Sequence, residues 1–214
     1  MMPNKLIDYR TPSRRRNVDI QYEYIIIKLD KKLQILTWLV LMMLAIHIVN
    51  SILQGRLGEF GVLPGEMRSL PYIITAPFIH GSWAHLLSNL VGLVIFSGLC
   101  LLRGIPFYLK SSLLIILLTG ILVWLFGRQA VHIGASGWIF GLWSLSIAMA
   151  WFQRRFGNIL IALFVIVFYG GMIFGVLPSD PNVSFESHLF GALSGVICAY
   201  MMTKKPFRRR AAVK

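Results

Sequence analysis

The chain has 214 residues, of which 57% are hydrophobic and only 14% charged, where an ordinary soluble domain carries about 25% charged residues. That composition excludes a soluble globular domain and describes a membrane protein. The formal net charge of +13 raises nucleic acid as a partner, but the 21 Lys and Arg cluster at the chain ends and in short turns between apolar runs, where membrane flanks gather them, so no nucleic acid is read as a partner.

In chain order, residues 1–32, "MMPNKLIDYRTPSRRRNVDIQYEYIIIKLDKK", hold no early apolar core followed by a small-residue cleavage site. They read as a basic tail rather than a cleavable signal. Apolar runs broken by charge, Gly and Pro then predict six membrane helices at about 33–53, 83–102, 110–126, 136–152, 159–175 and 187–203. The expected fold is all-α: a six-helix membrane domain over 33–203, with a second basic tail at 204–214. Several runs hold only 16 or 17 residues, fewer than the ~20 that cross a ~30 Å hydrocarbon core, so parts of the outer loops are expected to dip inward. Cys100 and Cys198 each lie within an apolar run, without zinc or redox spacing, and read as packing residues.

Six spans put both ends of the chain on one side. Eighteen Lys and Arg fall in the two tails and the two loops on that side, against Arg56, Arg68 and Arg128 on the other, so both termini are expected to be cytoplasmic. Nothing between Met67 and Ser179 is Asp or Glu. This argues against a carboxylate proton relay, a cation transporter built on acids, or an aspartyl protease within the membrane.

Among the polar residues of the spans, His47 in the first, His85 and Asn89 in the second, Ser136 in the fourth and His188 in the sixth stand out. Measured from the cytoplasmic basic residues, His85 to Arg103 and Ser136 to Arg154 are 18 residues each, and His188 to Lys204 is 16. At ~1.5 Å per residue these are ~27, ~27 and ~24 Å, so the three groups are expected at one level near the outer surface. Taken singly, Ser136 reads as a small packing residue, His188 as a partner for a neighbouring carbonyl, and His85 with Asn89, on one helix face, as an interhelical link. Their shared depth favours a functional constellation.

Gly137 and Gly141 form a small-xxx-small pair in the fourth span, and Gly191 and Gly195 another in the sixth on the face of His188. If these spans are neighbours, Ser136 and His188 come within reach of each other. A serine hydroxyl needs a base to take its proton, and a neutral imidazole is the available base. Asp180 and Glu186 lie in the adjacent loop, with Glu186 facing another way, so the expectation is a Ser–His dyad without a third acid. His85, Asn89 and the Ser136 N–H at a helix start are candidate oxyanion donors.

These residues match a pattern. "FIHGSWAHLLSN" at 78–89, "GASG" at 134–137 and "SHLFGALSG" at 187–195, in that order on spans two, four and six, resemble the rhomboid intramembrane serine proteases. The resemblance covers about Thr75 to Met202. It implies Ser136 as nucleophile between Gly134 and Gly137, His188 as general base, and His85 and Asn89 lining the oxyanion hole. It also implies a structural role for His80 in the outer loop and stacking of Phe140 on the catalytic imidazole. Many members carry a Trp-Arg pair in the first outer loop where this chain has Pro71 and Tyr72, which puts that loop's conformation, not the chemistry, in question.

The implied activity is cleavage of a transmembrane protein substrate near the outer end of its helix, within a lipid bilayer and without metal or cofactor; one chain suffices for the catalysis, and the sequence does not give the oligomeric state. The fifth span and the Pro-, Ser- and Asp-containing loop at 175–187 are the expected gate and cap. His132 reads as a loop residue, and His47 as an interhelical hydrogen bond. A bacterial inner membrane is the expected location. Two rivals stay open: a catalytically silent rhomboid-like protein that binds membrane partners, and a haem or metal protein using His47, His85 and His188, which the different depth of His47 disfavours.

Overall fold

The computed structural model describes residues 12–178 and 183–204. Within them the chain forms six α-helices: α1 Pro12–Ile52, α2 Trp83–Leu101, α3 Ile105–Phe126, α4 Ser136–Phe152, α5 Phe156–Tyr169 and α6 Phe185–Thr203. Among the described residues there is no strand, and one antiparallel bridge pairs Val62 with His132. Asp180, residues 1–11 of the first basic tail and residues 205–214 of the second lie outside the described residues.

The six apolar runs match the six helices, with shifted edges. Helix α3 begins at Ile105 rather than near 110, because Gly104, at φ +115°, makes the turn and Pro106 is tolerated in the first helical turn. Lys110 is therefore helical and exposed, a residue whose long stem can reach past apolar surface. Reading spans by apolarity stops at a charge, whereas the backbone does not. Helix α1 has 41 residues, ~60 Å at ~1.5 Å rise, and only Leu29–Ile52 is apolar enough to span. Four segments are long and apolar enough to cross a membrane: Leu29–Ile52, Trp83–Leu101, Ile105–Phe126 and Phe156–Val176. Helix α4 is shorter, at 17 residues, and α6 is diluted by Glu186, Ser187, His188 and Ser194.

Helix α4 is the interior of the bundle, and α6 packs along it while exposing Leu189, Leu193 and Val196. Helix α4 packs against α2, α3, α5 and α6, and its buried side chains include Trp138, Phe140, Leu142, Trp143, Leu145 and Met149. A helix apolar all round belongs inside. On α2, the buried Leu86, Leu90, Leu93, Phe96 and Cys100 recur every three or four residues and face this core, while Leu87 and Val91 are exposed. Exposed leucines in such numbers suit lipid as the surrounding solvent. Cys100 and Cys198 are free and fully buried, as packing residues should be.

The first outer loop is built from 3₁₀ helices at Arg56–Phe60, Met67–Ile73 and Ala76–Phe78. It is tied to the end of α3: Trp124 Nε1–H donates to the Glu66 carbonyl (3.0 Å), Gly65 N–H to the Trp124 carbonyl (3.0 Å), and the Gln129 amide to the Pro64 carbonyl (3.1 Å). Pro71 and Tyr72 fall in the second 3₁₀ helix, with Tyr72 edge-on to Phe60 at 5.3 Å, so the loop is ordered without a Trp-Arg pair. The expected interhelical hydrogen bond from His47 does not form. Its buried ring meets Trp83 edge-on at 4.5 Å, with Nδ1 unpartnered, because an aromatic edge rather than an acceptor lies opposite it. The polar tie from α1 comes from Asn50, three residues on, whose amide donates to the His80 carbonyl (3.1 Å) and accepts from Leu57 N–H (3.0 Å).

Candidate active site

The first turns of α2, α4 and α6 converge on a cavity of about 1160 Å³ whose lining includes His85, Asn89, Ser136, Phe140 and His188. Each helix start has a local cause. Ser82 caps α2, its hydroxyl accepting from His85 N–H (3.1 Å), which places His85 in the first turn and Asn89 one turn below on the same face. Ser184 caps α6 in the same way, accepting from Ser187 N–H (3.2 Å), and sets His188 one turn in. Ser136 is the first residue of α4, so its N–H has no acceptor within the helix.

The loop into α4 requires its glycine. Gly134 sits at φ +108°, and a Cβ there would come within 2.6 Å of the His85 ring. That proximity puts His85, and Asn89 just beyond it, beside the backbone two residues before Ser136. The Asn89 amide nitrogen is buried without a hydrogen-bond partner, a donor held ready at the cavity wall. His80, fully buried in the loop before α2, accepts from Ala135 N–H through Nε2 (3.4 Å) and meets His85 edge-on at 4.9 Å. Burial, reinforced by the nearby His85 imidazole, pushes His80 down to about 4, which keeps it neutral and keeps Nε2 an acceptor.

His188 is fixed from two sides. Phe140 stacks on it at 4.2 Å with the rings only 8° from parallel. Nδ1 lies 2.8 Å from the Gly175 carbonyl, which can only accept, so the proton is on Nδ1 and the Nε2 lone pair is free. Gly175 belongs to the 3₁₀ turn Gly170–Val176 that continues α5, and a Cβ on it would press on Phe140 at 2.7 Å. Glu186 faces Arg128 at 3.5 Å and makes no hydrogen bond to His188. Among the described residues no hydrogen bond joins Ser136 to His188, and the two share the cavity wall.

Helices α4 and α6 are neighbours, and glycines make them close ones. A Cβ on Gly191 would overlap the Gly137 carbonyl, and one on Gly195 would overlap the Gly141 carbonyl and Ser144 Oγ. Ser144 Oγ donates to the Ala192 carbonyl (2.7 Å) across the same seam. Of the histidines, His47 lies away from the cavity lining, while His132 reaches it through a network of its own. The residues that composition and motif left unnamed here are Gly175, Asn50, Ser184 and Ser144. Three of them act through or upon backbone carbonyls, which carry no side-chain signature.

The sequence pattern of the Rhomboid domain matches residues 67–205. An uncharacterized protein of Mycobacterium tuberculosis is 33% identical over 189 residues, 84% of this chain and 78% of that one. The chloroplastic Rhomboid-like protein 11 of Arabidopsis thaliana is 33% identical over 194 residues, 84% of this chain and 69% of its own. YdcA of Bacillus subtilis, whose name assigns it provisionally to the rhomboid proteases, is 28% identical over 159 residues, 71% of this chain and 75% of its own.

Proposed function

The chain belongs to the rhomboid family and is an integral membrane protein, and from that premise we propose that it is an intramembrane serine endopeptidase working through Ser136 and His188. The observation that carries the reading is the His188 imidazole, stacked on Phe140 and donating Nδ1–H to the Gly175 carbonyl, with its basic Nε2 free in the cavity that Ser136 lines. The name of the Bacillus subtilis relative points the same way.

The chemistry follows from the atoms. Ser136 Oγ attacks the scissile carbonyl as its proton passes to His188 Nε2. The oxyanion that forms is met by the Asn89 amide, His85 and the Ser136 N–H. The imidazolium then gives its proton to the leaving amine, and the acyl-enzyme forms. Water, activated by the same neutral imidazole, attacks the ester and restores Ser136. The Gly175 carbonyl orients the imidazole where a triad would use a carboxylate, so the catalytic pair is a dyad. A bond in a transmembrane substrate is reached where its helix unwinds into this cavity. Helix α5, whose outward face exposes Phe156, Leu160, Leu163 and Val167 and which packs chiefly on α4, is the natural lateral gate. A monomer suffices, since every proposed participant is on one chain. The location is a bacterial inner membrane with both termini cytoplasmic, an orientation that terminal reporter fusions check.

The test is labelling of the purified protein with a fluorophosphonate, followed by peptide mapping. Modification is expected at Ser136, lost in Ser136→Ala and His188→Ala, along with cleavage of a model transmembrane substrate. Cleavage undiminished in Ser136→Ala overturns the reading. Binding of membrane segments without labelling or cleavage identifies the silent, partner-holding alternative.

A further inference from the structure

His132 stands four residues before Ser136, and Ser184 stands four residues before His188. The two meet: His132 Nδ1 lies 2.6 Å from Ser184 Oγ. One hydrogen bond therefore joins the chain one helical turn ahead of the nucleophile to the chain one turn ahead of the base.

The protons along this contact are fixed by the acceptors at its ends. His132 Nε2 lies 3.1 Å from the Arg128 carbonyl, so Nε2 carries the hydrogen and Nδ1 accepts from the Ser184 hydroxyl. Ser184 Oγ in turn accepts from Ser187 N–H (3.2 Å) and from the Ser187 hydroxyl (2.7 Å). His132 is itself anchored on both sides of its backbone, donating N–H to the Val62 carbonyl (2.8 Å) and accepting from Val62 N–H (3.0 Å). It is 4% exposed, so its ring cannot swing to water without breaking both of its side-chain hydrogen bonds. The α6 cap is thus held by a side chain that the first outer loop holds in place.

The contact matters because of what is absent elsewhere. Helix α4 has no side-chain cap of its own, and no hydrogen bond joins Ser136 to His188 among the described residues. Their spacing is set by whatever fixes the two helix starts. Just beyond them the backbones press together at Gly137, next to Ser136, and Gly191, three residues after His188. Ahead of them the His132–Ser184 bond ties the two segments, beside Arg128, whose guanidinium donates to the Val183 carbonyl (2.8 Å) and faces Glu186 (3.5 Å).

We propose that His132 and Ser184 are positioning residues for the reaction, a clamp that holds the Ser136 hydroxyl and the His188 Nε2 at working distance. The proposal rests on the assignment of Ser136 and His188 as nucleophile and base. Neither clamp residue touches substrate, and each acts through the helix start it holds.

The experiment is a double-mutant cycle on the full chain in detergent, reading the maximal rate and the half-saturating concentration of fluorophosphonate labelling at Ser136, normalised to the folded fraction. His132→Ala and Ser184→Ala are each expected to lower the maximal rate by about ten- to a hundredfold with half-saturation unchanged, since a misplacement of about 1 Å costs on that order. The double variant is expected to lose no more than the worse single, because one bond is removed in all three. Ser184→Thr, which keeps the hydroxyl, is expected to stay within a few-fold of the parent, and Ser184→Val, nearly the same shape, to fall with Ser184→Ala. Single losses that multiply in the double variant, rates within twofold of the parent, or a change confined to half-saturation each overturn the clamp. An unlabelled parent protein overturns the nucleophile assignment instead, so the two failures are distinct.

Discussion

Asn89 presents the clearest case of a side chain placed for something other than packing, since its amide nitrogen is buried at the cavity wall with no partner. A donor left unsatisfied costs about 1–3 kcal/mol, and of the described buried side chains with an unpartnered polar atom Asn89 is the one that lines this cavity. Asn89→Ala is expected to lower kcat about 10²–10³-fold with little change in KM, measured on a model substrate, as removal of one oxyanion donor does. Glu186→Gln and Asp180→Asn are expected to keep most of the activity, because His188 Nδ1 donates to a carbonyl and Glu186 faces Arg128. A thousandfold loss in either would mean that an acid orients His188. That Ser136, His188, His85 and Asn89 line one cavity was legible from sequence because their depth can be counted from the basic residues at the ends of the spans. Gly175 was not, because any residue supplies a carbonyl.

Helix packing around the site depends on absent side chains. Gly191→Ala is expected to destabilise by about 1–3 kcal/mol or more, since its Cβ would meet the Gly137 backbone rather than a side chain that can turn aside. Gly98→Ala is the control: nothing lies within 4 Å of its Cβ position, and alanine favours helix. The thermal midpoint in detergent should fall in the first and hold or rise in the second. Equal midpoints would show that the α4–α6 seam is looser than described. The glycine pairs were visible as small-xxx-small patterns, but which helix each faced was not. That pairing needs the fold, as does the Ser144 hydroxyl that crosses it to the Ala192 carbonyl. Element ends were the least legible feature: α3 runs through Lys110, and Arg103, whose Nε–H donates to Asn158 Oδ1 (3.1 Å), links the end of α2 to α5 rather than standing in a free loop.

For the molecule as a whole, buried neutral histidines set a pH dependence of stability. His80 is held near 4 in the folded state, whereas an unfolded histidine titrates near 6.5. Between those values the unfolded chain binds the extra proton, so stability is fully present above about 6.5 and falls as pH drops toward 4. Burial lowers His132 too, against the opposing hydrogen bond to the Arg128 carbonyl, and so adds the same sign. Thermal midpoints in detergent from pH 7.5 to 4.5 should therefore decline, and His80→Gln should flatten part of that decline. A profile flat in the parent protein would contradict the burial of these rings.

The sequence alone determined that the chain lives in a membrane, that it is helical, roughly where its helices lie, and which few polar residues are candidates for chemistry. These follow from hydropathy, charge and residue type, which are properties of short stretches of chain. Its basic asymmetry also set the expected orientation. The tertiary structure decided the rest: that α4 and α6 are neighbours, that His47 meets an aromatic edge, that Gly175 chooses the His188 tautomer, and that His132 reaches Ser184 across 52 residues. Each of these is a contact between distant segments, and two of them end on or depend on backbone atoms. Backbone acceptors are identical at every position, so only the fold says which one a side chain meets.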